Sequence, residues 1–184
     1  MSNKFLAVSL AVTLGGCASS PYQYYEETTS IQKGITKYHL NDVNLQLTLG
    51  HGGIPGDTSF ASESQLKDEF YVALLDEMKK KNLLASDTDK DAVQANISVR
   101  YQRNFNYGGK ALNKPIVSHE VSVQRDNKPL ASFQASGYTT KYAYFEDAAV
   151  SLEIATFQWD AEDEPRDIQM VSKLIIEDLS ELGK

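Results

Sequence analysis

The chain predicts an α+β fold: a small sandwich in which an antiparallel-rich sheet carries helices on one face. Three observations predict it. Short runs of residues alternate strictly between apolar and polar, apolar stripes of helical spacing stand among and after those runs, and a turn-forming tetrapeptide joins two of the runs into a hairpin.

Val43-Asn44-Leu45-Gln46-Leu47-Thr48-Leu49 puts four aliphatic side chains on one face and Asn, Gln and Thr on the other, which defines a half-buried strand. It runs into a glycine-rich segment, Gly50-His51-Gly52-Gly53-Ile54-Pro55-Gly56-Asp57. Ser62 and Gln65 then stand at capping-box spacing ahead of Leu66, Phe70, Leu74 and Met78, the stripe of a helix. Lys79, Lys80 and Lys81 suit the negative end of that helix's dipole. Ile97, Val99 and Tyr101 alternate with polar neighbours as a second strand, and residues 104–115 read as a loop. Val117 to Val123 and Leu130 to Ala135 flank Asp126-Asn127-Lys128-Pro129 as a hairpin. Residues 145–157 fit a strand through Val150, Leu152 and Ile154 and a helix through Phe145, Ala149 and Leu152; the helical reading is preferred. Pro165, preceded by acidic residues, opens a final helix whose stripe is Ile168, Val171, Leu174, Ile175, Leu179 and Leu182, closed by Gly183.

The 184 residues are 41% hydrophobic and 23% charged, enough apolar material for one cored domain. The net charge of −7 and the lack of a basic patch argue against nucleic-acid binding, because such a surface repels phosphates. A single cysteine rules out a disulfide framework.

That cysteine follows a distinctive leader. Lys4 precedes the mostly apolar run Phe5–Leu14, about half the ~20 residues of a spanning helix, and small residues come next. Leu14-Gly15-Gly16-Cys17 resembles the lipobox of bacterial lipoproteins. The resemblance implies lipid transfer to Cys17, cleavage between Gly16 and Cys17, and acylation of the new amino terminus, which anchors the mature chain; no motif calls for a cofactor. Each buried methylene adds ~0.8 kcal/mol, so several acyl chains hold firmly where one holds marginally. Ala18 and Ser19, in place of an aspartate, imply by the same resemblance an outer-membrane destination facing the periplasm. The expected organisation is a signal peptide over 1–16, a lipidated flexible tether over 17–34 and one domain over 35–184. Tyr22, Tyr24 and Tyr25 read either as aromatics of that tether or as residues resting at the headgroup level. Over residues 35–184 the order of elements resembles small periplasmic α/β lipoproteins that serve envelope assembly.

No residue pattern points to catalysis or to a metal. The glycine-rich segment matches neither phosphate-loop spacing, and Asp57 stands where a phosphate loop would have lysine. His39, His51 and His119 lack ligand spacing, and His119 and Glu120 face opposite sides of a strand. The run Asp160-Ala161-Glu162-Asp163-Glu164 lacks the oxygen spacing of a calcium loop and suits a helix start. Tyr138, Tyr142, Tyr144 and Trp159 lie in one aromatic-rich stretch, which fits a core or an interaction surface. The sequence therefore favours a non-catalytic envelope protein that works by contact with an envelope protein partner. An inhibitor or immunity protein against a periplasmic or incoming enzyme is the alternative, and an envelope hydrolase has the least support among the motifs.

Overall fold

The computed structural model describes residues 21–26 and 30–184; Gly16 and Cys17, and with them the cleavage and lipidation sites, lie outside the described residues. The architecture is α+β, an open sheet with helices packed on one face. Five strands, β1 (Tyr22–Tyr24), β2 (Tyr38–Leu49), β3 (Val93–Asn106), β4 (Ala111–Arg125) and β5 (Lys128–Tyr138), lie in the order β1-β5-β4-β3-β2. All neighbours are antiparallel except β2 and β3, which run parallel because α1 (Glu63–Lys80) crosses over between them. Two further helices, α2 (Tyr144–Ala155) and α3 (Glu164–Glu181), follow β5.

Alternation decides which face is covered. Val93, Ala95, Ile97, Val99 and Tyr101 of β3 are buried, together with Val43 and Leu45 of β2 and Val117, Val121 and Val123 of β4. They meet Leu66, Phe70, Leu74 and Met78 of α1 and Ile168, Val171, Ile175 and Leu179 of α3 in one core. The opposite face of the sheet presents Asn44, Gln46, Ser98 and Glu120 to solvent. The capping box at Ser62 forms, with Gln65 N–H donating to Ser62 Oγ and Ser62 N–H donating to Gln65 Oε1. Asp126 and Asn127 both take positive φ (50° and 62°), giving the two-residue turn that the right-handed twist of a hairpin favours.

Three expectations are corrected. The segment 17–34 is not simply a tether, since its described residues belong to the domain. Tyr22, Gln23 and Tyr24 pair with Phe133, Ser132 and Ala131, and Ile31 is 1% exposed in the core. Tyr22 hydroxyl donates to Asp178 O, Tyr24 hydroxyl accepts from Gly183 N–H, and Tyr25 hydroxyl bonds Ser132, so all three rings are tied to the domain rather than left for a headgroup layer. A polar composition disguised a short edge strand whose partners lie more than a hundred residues away. Residues 104–115 are likewise not a loop: β3 and β4 continue through them to a tight turn at Gly108 and Gly109, both at positive φ. Asparagine side chains bonding across this hairpin, with Asn113 Nδ2 donating to Asn106 Oδ1, stand where apolar alternation would have announced strands. Finally, Leu174 is 38% exposed, so it stands outside the stripe that buries the rest of α3.

Candidate functional site

A buried polar network fixes the helices at one end of the sheet. Arg103, on the core side of β3, is the odd charged member of an otherwise apolar alternation. Its Nε donates to Glu164 Oε1 and its Nη2 to Glu164 Oε2, both at 2.7 Å, while Nη2 also reaches Ala61 O at 2.8 Å. Burial pushes the Glu164 carboxyl up, and the guanidinium opposes that shift. One turn further along α3, Asp167 accepts from Thr140 Oγ1 (2.6 Å), Tyr142 hydroxyl (2.8 Å) and Trp159 Nε1 (3.3 Å). Burial raises this carboxyl too, against the three donors. Every oxygen is engaged by the fold itself, so the network positions structure rather than offering a reactive group.

The aromatic stretch divides accordingly. Trp159 (0% exposed) and Tyr142 (8%) are core residues, packed with Phe60, Phe105, Leu112 and Val150 in a second cluster, and are not part of an interaction surface. Tyr138 is half-buried, its hydroxyl 2.8 Å from His119 Nδ1. Tyr144, by contrast, is 85% exposed, and it belongs to a larger surface on α2.

Only Val150 of α2 is buried, although the helix is rich in apolar residues. At 100° per residue, Val150, Ile154 and Asp147 point one way, toward the domain. Phe145, Ala148, Ala149 and Leu152 point the other way, and that outer face carries no charge. Phe145 is 87% exposed and Leu152 64%. The carboxylates of α2 are drawn to its inner side and flank. Asp147 pairs with Lys114 at 2.6 Å, and Glu146 and Glu153 each stand 3.5 Å from Arg166, whose guanidinium covers Trp159. Phe157, just past the helix end, holds φ 58° and is 56% exposed. That left-handed position is usually filled by glycine. Leu49, Ile54 and Ile116, also exposed, come from the same end of the sheet.

A second apolar surface lies on the helical layer. Between α1 and the start of α3 runs a groove of about 430 Å³, floored by Val72, Ala73, Pro165 and Ile168. Asp68, Glu69, Asp76 and Glu77 rim it. Asp76 and Glu77 pair with Lys79 and Lys80, while Asp68 and Glu69 make no ion pair among the described residues. Partial burial raises the Glu69 carboxyl. The helical spacing of 68, 69, 72, 73 and 76 was present in the sequence but hidden behind the stronger stripe that α1 turns toward the core.

The histidines do not converge. His39 sits at the entry of β2, His51 lies beyond its far end, and His119 is level with Leu45 two strands away, so roughly 17 Å along the strands separates His39 from His119 and roughly 40 Å from His51. His119 is enclosed, and burial lowers its pKa to about 4. Among the described residues its Nε2 has no hydrogen-bond partner, and Asp178 Oδ2 stands 4.0 Å away. The glycine-rich segment packs onto the β3–β4 turn: Gly50 N–H donates to Arg103 O, Phe105 N–H donates to His51 O, and a Cβ on Gly109 would come within 2.8 Å of Gly52 O. Gly52 lets the segment approach the Phe105 backbone closely, since a Cβ there would stand 3.2 Å from Phe105 O, whereas Gly56 has open space around it. Of the acidic run, Glu164 is consumed by Arg103, while Asp163 accepts from the N–H of Asp160. Among the described residues no three His, Cys, Asp or Glu side chains gather as a metal-ligand group, and no helix is long and apolar enough to cross a membrane.

No protein-family model matches the chain, and no curated protein matches it. Solved structures match at low identity and low TM-score. A minor lipoprotein from Acinetobacter baumannii matches with 15% identity and a TM-score of 0.30, covering 76% of this chain and 91% of that one. An uncharacterized protein matches with 13% identity and a TM-score of 0.32 over 78% and 99% of the two chains. The rare lipoprotein B from Shewanella oneidensis matches with 10% identity and a TM-score of 0.28 over 76% and 94%.

Proposed function

We propose that the chain is a lipoprotein, acylated on Cys17 and held at the outer membrane facing the periplasm, that supports envelope assembly or maintenance by binding another envelope protein rather than by catalysis. The anchor rests on Leu14-Gly15-Gly16-Cys17 and the leader before it. The binding role rests on one observation, the groove between α1 and α3. Its apolar floor, with Val72 57% exposed, recovers free energy only when another apolar surface covers it. Its four carboxylates select the occupant: a partner segment with aliphatic or aromatic side chains flanked by Lys or Arg. The acidic rim also fits the second reading, an inhibitor that covers a cationic enzyme cleft, and the identity of the captured protein separates the two.

Photo-crosslinking in intact envelopes tests the proposal. A crosslinker at Val72 should trap a discrete partner, and reversing the rim with Asp68→Lys and Glu69→Lys should abolish the adduct. A crosslinker at Val72 that traps nothing beyond what one on the open sheet face at Asn44 traps would overturn the binding role. An unmodified Cys17 thiol in the native product would overturn the anchor.

A further inference from the structure

We propose that the outer face of α2 lies on the lipid bilayer, so that the domain docks on the membrane through a second apolar contact; this rests on the reading of Cys17 as the anchor. Topology brings the two together. β1 is antiparallel to β5, with Tyr22 opposite Phe133 and Tyr24 opposite Ala131, so the chain enters β1 from the end of the sheet at which β5 leaves for α2. Cys17 stands five residues before Tyr22, a span of at most about 17 Å of chain. Tyr138, where β5 ends, is five residues beyond Phe133, a similar distance along the strand. Any bilayer that holds Cys17 is thereby kept within reach of the pole that carries α2.

The chemistry of that face fits a bilayer. Phe145 and Leu152 are exposed on a helix flank without charge, Tyr144 brings a ring with a polar tip, and the nearby carboxylates are engaged by Lys114 and Arg166. An interfacial helix of this kind buries its apolar side about 5–10 Å into the headgroup and acyl boundary. Phe157, just past the helix end, is a further exposed aromatic residue. Docking of this kind depends on apolar burial and is therefore insensitive to salt.

The test uses the full-length lipidated protein in phosphatidylethanolamine and phosphatidylglycerol vesicles, with or without bromine on the acyl chains. Phe145→Trp supplies a reporter on α2, Tyr71→Trp a control on α1, and native Trp159 a buried reference. The proposal expects the indole at position 145 to emit further to the blue in vesicles and to be quenched by brominated lipid at low and high salt. The control and Trp159 should keep their emission. A chain that floats with the vesicles while the Phe145→Trp reporter stays unquenched overturns the docking and leaves the anchor standing. A chain that does not float, with an unacylated Cys17 by mass spectrometry, overturns the anchor and the docking that depends on it. A blue shift that grows with protein concentration in lipid-free detergent identifies a second copy as the occupant and also overturns the proposal. Phe145→Glu combined with Leu152→Glu should abolish the vesicle-dependent protection of α2 amides from exchange, with Trp159 emission showing that the fold persists.

Discussion

Arg103 and Glu164, sixty-one residues apart, meet in the interior as a two-bond fork, each N–H···O contact 2.7 Å long and both side chains at most 5% exposed. The pair joins the far half of β3 to the first turn of α3, and through Ala61 O it also fixes the approach to α1. A buried ion pair of this geometry contributes less through its own attraction than through the penalty of separating it.

Removing one partner should therefore be far worse than removing both. Glu164→Gln leaves a guanidinium buried without its counter-charge and should cost about 3–5 kcal/mol. Arg103→Met combined with Glu164→Leu should lose much less than the two single changes added together. Urea denaturation of the single and double variants measures the coupling, and strict additivity would show that the fork carries no coupling energy.

His119 gives the fold a pH dependence with a definite sign. Its pKa falls from an unfolded value near 6.5 to about 4 because burial disfavours the imidazolium. The unfolded chain therefore binds the proton first, and stability declines as pH drops from about 6.5 toward 4, by up to about 3 kcal/mol. The raised carboxyls of Glu164 and Asp167 act in the opposite sense, losing stability as pH rises through their folded values. The difference between wild type and His119→Gln across this window isolates the histidine. Parallel stability curves for the two proteins would contradict the assignment.

Ile31 should behave as a core residue despite its polar neighbourhood. Ile31→Ala is expected to cost about 2–5 kcal/mol, the usual range for emptying a packed aliphatic site. Ile35, four residues on, is 66% exposed, and Ile35→Ala should stay within about 0.5 kcal/mol of wild type. Equal midpoints for the two variants would return this segment to the status of a tether.

Phe157→Gly should stabilise the protein by up to about 1 kcal/mol, since glycine adopts the left-handed position without a Cβ clash. The same change should weaken vesicle docking if the ring meets the bilayer. Thermal unfolding of the water-soluble state reads the first effect. A lower melting temperature would mean that contacts of the ring outweigh the strain of its backbone.

How much of this was legible in advance depends on how local each cause is. The capping box of α1, the two-residue hairpin turn, the alternation in β2 and the helical identity of α2 are written within a few residues of where they act. The outward face of α2 was half legible: Tyr144 lay in an aromatic stretch that fitted a core or an interaction surface, and Phe145 and Leu152 had helical spacing that suited a core just as well. Only the packing of Val150 and Ile154 against the domain turned that spacing outward. The α1–α3 groove was not legible at all, because it exists only where two distant helices meet.

By itself the sequence determined the α+β class, the capped start of α1 and the turn at Asp126-Asn127, because propensity, capping and periodicity are properties of neighbouring residues. The tertiary structure alone decided that Tyr22–Tyr24 is an edge strand, that residues 104–115 extend a hairpin, that Trp159 and Tyr142 are core, and that Arg103 finds Glu164. Each of these depends on a partner brought from far along the chain, and pairing of that kind is set by the free energy of the whole packed core.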